Sequence, residues 1–152
     1  MLTDAFGDVP YSQALQGKGT IAYDKQENIY PAIINELKEA AAQFDAGATA
    51  QGDVMFSGNT TKWKKFANSL RMRIALRMID VNEAAAVAAI NKSLDPANGG
   101  VIMSNEESAM FRWISGAPNN NPLAEAFKTR IDFSVSAPLV DYMEKYDDPR
   151  LG

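Results

Sequence analysis

Two long stretches of the chain carry apolar residues at helical spacing. In the first, Ile29, Tyr30, Ile33, Ile34, Leu37, Ala40, Ala41 and Phe44 share one arc when successive residues are placed about 100° apart. Asn28, Asn35, Glu36, Lys38, Glu39 and Gln43 fall on the other side. This pattern predicts a helix over 24–44 with one face on a core and one in water. Asp24-Lys25-Gln26-Glu27 has the form of a capping box, in which the Asp24 carboxylate accepts first-turn amides and Glu27 reaches back to the Asp24 N–H. Asp45-Ala46-Gly47 is the predicted stop. Pro31 falls inside the pattern, which predicts a late start or a slight kink.

The second stretch, 61–79, has two apolar stripes. Trp63, Phe66, Ala67, Leu70, Ile74 and Met78 make the main one, and Met72, Leu76 and Ile79 lie nearly opposite. A helix apolar on two sides packs on two sides, the position of an inner helix in stacked helical pairs. Asn59, Thr60 or Thr61 is the predicted cap. The two helices, joined by a glycine-containing loop, are expected to form an antiparallel hairpin, with Trp63 in the core beside Phe66 and Leu70. Lys62, Lys64, Lys65, Arg71 and Arg73 border the stripes, and pairing with Glu27, Glu36 and Glu39 or with solvent is expected. Arg77 projects onto the main apolar stripe. It reads as a long side chain snorkelling to a nearby carboxylate, with a ligand-binding arginine as the alternative.

Elsewhere the pattern is shorter. Residues 6–23 contain Gly7, Pro10, Gly17 and Gly19 and read as loop. An alanine-rich helix is predicted over 82–94, closed by Asp95-Pro96-Ala97-Asn98-Gly99-Gly100. Residues 101–114 show little helical period, with an extended segment expected around 109–113. A polar loop spans 115–122, a short helix 123–128, and a last helix runs from Ala137 or Pro138 to about Tyr146. No internal repeat is visible, and the tetratricopeptide consensus is absent by residue identity.

Composition narrows the chemistry. The 152 residues fit one domain or a portion of a larger one, and no run of apolar residues is long enough to span a bilayer. The first residues do not form a secretory signal. A net charge of −4 argues against nonspecific nucleic-acid binding. There is no cysteine and no histidine, so Ser-His-Asp and Cys-His catalysis and histidine- or thiolate-ligated metal sites cannot be assembled here. Carboxylate-only catalysis stays open. Asp4, Asp8 and Asp24 lack the spacing of a calcium loop and read as turn and cap residues.

Four segments carry a family resemblance. Gly7-Asp8-Val9-Pro10-Tyr11-Ser12-Gln13-Ala14 resembles the GDVPYSEA signature of the SusD/RagB family. Residues 23–30, reading YDKQENIY, resemble that family's helix start. Residues 62–77, reading KWKKFANSLRMRIALR, resemble its most specific helix, and Ser134-Val135-Ser136 through Asp148-Pro149-Arg150-Leu151 resemble a later element. The motifs occur in family order over nearly the whole chain. The resemblance implies an all-α fold, an α–α superhelix of tetratricopeptide-like hairpins with irregular loops, of which 1–152 forms a single segment of a longer lipoprotein. It implies a cell-surface protein of the bacterial outer membrane, held by a lipid anchor outside this chain. Such a protein captures oligosaccharides, or in some branches peptides, for a TonB-dependent SusC-like transporter. It implies no enzymatic activity and no cofactor, metal or nucleic-acid partner.

Sugar sites combine aromatic faces with amide and carboxylate hydrogen bonders. Trp113 with Asn119, Asn120 and Asn121 offers that combination, against the alternative of a core indole and ordinary loop asparagines. Tyr142 and Tyr146, one helical turn apart, are further candidates. Two other functions compete. One is a helical protein-interaction scaffold without a small ligand. The other is a carboxylate-only glycan hydrolase, with Glu106 and Glu107 as its nearest acids.

Overall fold

The computed structural model describes every residue except Met1, Lys18, Asp45, Ala46, Ala117 and Gly152. The chain divides into two compact units, Met1–Phe111 and Arg112–Gly152. The first contains α1 (Leu2–Phe6), α2 (Gln26–Ala42), α3 (Thr60–Leu76) and α4 (Glu83–Leu94), and the second α5 (Pro122–Phe127) and α6 (Ala137–Lys145). Among the described residues there is no strand, only the isolated antiparallel bridges Val9–Asp24 and Thr49–Asn59. The all-α expectation therefore holds. Residues 109–113, expected to be extended, are neither helical nor part of a paired strand. The short helix α1, absent from the sequence reading, precedes the first loop.

Helices α2 and α3 pack on each other, and α3 also packs on α4. Tyr30 near the start of α2 clusters with Ile74 and Met78 near the end of α3, so the pair runs antiparallel as predicted. Ala86 of α4 joins this cluster, and Ile33, Ile34 and Leu37 of α2 pack against it. The apolar arc of α2 is thus the one the sequence marks. Its polar residues Asn28, Asn35, Glu36, Lys38, Glu39 and Gln43 are all exposed. The helix begins before Pro31 and runs through it.

The capping box of α2 does not form. Lys25 occupies the cap position without a side-chain hydrogen bond. Asp24 sits one residue too early, where its bridge to Val9 turns its carboxylate toward the preceding loop. There it accepts from Tyr11 N (3.0 Å), Ser12 N (2.8 Å) and Ser12 Oγ (2.8 Å). The first amide of the helix, Gln26 N, donates instead to Asp8 Oδ1 at 2.9 Å. The cap comes from a loop far upstream, beyond the reach of a local motif.

The burial of α3 also departs from the two-stripe reading. Ala67, Asn68, Arg71, Ile74, Ala75 and Met78 are buried, whereas Leu76 of the second stripe is 53% exposed. Projected around the helix, the buried arc is centred near Arg71, in the gap between the predicted stripes. Polar residues occupy that gap because they bond to each other and to backbone: Arg71 Nη1 donates to Asn68 Oδ1 at 2.9 Å. Asn68 Nδ2 in turn donates to Asn98 O (2.8 Å) and Gly100 O (3.0 Å), fastening the chain as it leaves α4. Asn59 caps α3, its Oδ1 accepting from Lys62 N at 3.0 Å.

Candidate functional site

Trp113 begins the second unit's irregular stretch and is 50% exposed. Ile114 N donates to Asn119 O at 3.1 Å, so the backbone next to Trp113 is tied to the first of the three asparagines. The three asparagines have different employment. Asn121 Oδ1 caps α5, accepting from Leu123 N at 2.9 Å, with Pro122 at the first helical position where its missing N–H costs nothing. Asn120 Nδ2 donates to Glu125, whose carboxylate also pairs with Lys128. Asn119 has an exposed side chain, its backbone oxygen holding the turn. Local structure therefore engages the Asn120 and Asn121 amides.

Tyr142 lies on a separate element, α6. It is 62% exposed, and its ring centroid is 4.7 Å from that of Tyr146, one turn on. Lys145 Nζ stands 5.3 Å from the Tyr146 centroid, a cation over an aromatic face. The pair forms an exposed aromatic ledge able to carry the apolar face of a ring.

The acids proposed for hydrolysis are committed elsewhere. Glu107 pairs with Lys65 and accepts from Met103 N, and these contacts hold its carboxyl below the usual glutamate range. A hydrogen bond from the Ser104 side chain does the same for Glu106. A glycosidic general acid needs the opposite shift, so that it holds a proton near neutral pH. These contacts also correct the charge pairing expected for α3: Lys65 goes to Glu107, and Lys62 Nζ donates to Glu106 O at 2.5 Å, not to the acids of α2. Both reach a segment some forty residues on, which no helical projection can supply. Arg77 does find a carboxylate, Asp4, at 3.3 Å, and Tyr30 Oη donates to the same Asp4 oxygen at 2.8 Å.

Trp63 is mostly but not fully buried, as are Phe66 and Leu70 beside it. Its ring meets Phe56 and Phe66 edge-on at centroid distances of 5.1 and 5.8 Å. Its Nε1 donates to Asp53 Oδ2 at 2.8 Å. Asp53 also accepts from Met55 N, Phe56 N and Gly58 N. Partial burial works to raise this carboxyl, but the four donors outweigh it and hold it at about 2. Gly58 fits here because its φ is +83° and an added Cβ would stand 2.9 Å from Ala50 O. Sequence reasoning missed Asp53 as the organiser of this loop. The ten residues separating it from Trp63 give no periodic signal.

The chain belongs to the SusD-like family: a family model described as "Starch-binding associating with outer membrane" matches residues 1–152. Solved structures agree with that assignment. BT1043 is similar at 31% identity with a TM-score of 0.86, the match covering 99% of this chain and 30% of that one. A SusD homologue from Bacteroides uniformis matches at 34% identity and TM-score 0.83, over 98% of this chain and 32% of its own. A chitin-binding SusD homologue from Flavobacterium johnsoniae matches at 33% identity and TM-score 0.82, over 99% and 32%. The chain thus spans about a third of the length of the solved relatives it matches. None of the curated proteins matches it. Among the described residues no helix is long and apolar enough to cross a membrane.

Proposed function

We propose that the protein carrying this chain captures oligosaccharides at the outer-membrane surface and passes them, uncleaved, to a TonB-dependent SusC-like transporter. Trp113, Asn119, Asn120, Asn121 and Tyr142 border the ligand in this reading. The observation that carries it is the whole-chain match to a family described as starch-binding and outer-membrane-associated, joined by chitin-binding relatives of similar fold. Local chemistry supports the choice of residues. The second unit offers a half-exposed indole on an irregular turn and a tyrosine pair on a helix. Function concentrates on such loops when a scaffold holds them.

The engaged amides of Asn120 and Asn121 modify the picture. Asn119 is the asparagine with an exposed side chain, while the side chains of the other two bond within the turn and α5. The hydrolase reading is disfavoured by the lowered carboxyls of Glu106 and Glu107. The scaffold reading differs in predicting no small ligand. Calorimetric titration of the full-length protein with starch and chitin fragments separates these outcomes. Binding without release of new reducing ends supports capture. Release of reducing ends establishes hydrolysis, and silence across the panel leaves the scaffold reading standing. Co-purification of a SusC-like transporter from outer membranes tests the delivery step.

A further inference from the structure

Arg71 is 4% exposed at the middle of α3, yet among the described residues its guanidinium makes a single hydrogen bond, Nη1 to Asn68 Oδ1. Its Nε–H is buried with no acceptor among the described residues. Burial lowers its pKa, and among the described residues no charged partner contributes to the shift. A guanidinium taken out of water without a counter-charge is strongly unfavourable, and five donors held in a planar fork are matched to a carboxylate.

Arg71 lines a cleft of about 270 Å³ bounded by α2 and α4. Ile34 of α2 and Ala88 and Ala89 of α4 supply apolar wall, and Lys38 and Lys92 stand at the rim, one on each helix. Both lysines are exposed, and among the described residues neither has an ion-pair partner. Asn35, also in the lining, donates to Glu39 at 2.6 Å. The cleft is large enough for a single sugar ring or a short aliphatic body.

We propose that this cleft is a carboxylate-binding site, in which Arg71, with Lys38 and Lys92 at the rim, receives the carboxylate of a small organic acid whose body rests on the apolar walls of α2 and α4. The site lies wholly within the first unit and does not depend on the Trp113 reading. The carboxylate can come from an acidic sugar or from a short aliphatic acid.

Nitrogen-15 NMR of the full-length protein at low ionic strength tests this, with the Arg71 Nε–H resonance as reporter. The probes are sodium glucuronate and sodium butyrate, with glucose and butyramide as neutral controls. The expected result is a saturable shift of the Arg71 Nε–H with one or both acids and none with the controls. Response to glucuronate alone assigns the site to acidic sugars, and response to both assigns it to the carboxylate itself. A Lys38→Gln, Lys92→Gln double variant, altered only at exposed positions, should keep the fold and bind about tenfold more weakly. Equal response to acids and neutral controls would overturn the proposal. So would shifts confined to Lys38 and Lys92 with Arg71 unmoved, the mark of loose ionic attraction at the rim.

Discussion

The two units differ in how their helices are held. In Met1–Phe111, Ile29, Asn68, Arg71, Ile74 and Ala75 are buried, and long-range hydrogen bonds tie loops to helices. In Arg112–Gly152 no described residue is buried; α5 is capped by Asn121, and α6 starts at Ser136 without a side-chain cap. Leu123, Phe127, Ile131, Phe133, Val135 and Leu139 are all exposed there, although Phe127 and Phe133 meet edge-on at 6.4 Å. Helices of six and nine residues are marginal without tertiary packing. A family signature therefore need not mark a binding surface. In the first unit the motif residues Asp8, Asp24, Asn68 and Lys65 act as fasteners, and the candidate ligand contacts lie in the unit with the less buried chain.

The largest effect should come from Asn68→Ala. It removes two hydrogen bonds to backbone carbonyls and the acceptor of Arg71, at a fully buried position. We expect a loss of about 2–4 kcal/mol in a denaturant melt. A near-neutral result would mean that the exit of α4 is held by something other than this side chain. Next is Trp63→Ala. The indole is mostly but not fully buried, so a loss of about 3 kcal/mol is expected, at the lower end of the range for aromatic truncation. Chemical denaturation followed by circular dichroism measures it, and an unchanged midpoint would show that the Phe56–Trp63–Phe66 cluster does not support the fold.

Acid should expose the Asp53 loop in a defined direction. Its folded pKa, about 2, lies below the ordinary aspartate value, so ionised Asp53 stabilises the fold above about pH 4. That contribution is lost as pH falls from about 4 toward 2. Asp53→Asn should flatten this part of the stability–pH curve, and equal acid slopes for wild type and variant would count against the four-donor arrangement.

Much of the first unit was legible because its long helices repeat a pattern over several turns. The arc of α2, a cap within 59–61 and the two neighbours of α3 follow from local spacing, as does a carboxylate partner for Arg77, though not that this partner is Asp4. What escaped the sequence is non-local. Asp8 caps a helix that begins 18 residues later, Asp53 gathers four donors around one loop, and Asn68 bonds to carbonyls thirty residues on. Arg71 was read as a border charge because its burial requires an amide partner three residues away, which a hydrophobicity projection scores as polar. Trp113, Asn119 and Tyr142 were legible as residue types on exposed elements. Their relation to a ligand was not, since aromatic and amide side chains serve turns as readily as sugars.

The contrast between fastening residues and contact residues meets its sharpest test in Trp113→Ala. With half its indole in solvent and no described residue of its unit buried, Trp113 should contribute little to stability but directly to capture. Calorimetric titration of the full-length protein, wild type and Trp113→Ala, with the oligosaccharide that the panel selects is the deciding measurement. The predicted result is an unchanged melting temperature and a loss of about 1–3 kcal/mol in binding, the range for a large apolar side chain withdrawn from contact. Equal affinities in a variant that stays folded would contradict the assignment and move the ligand away from the 113–121 turn.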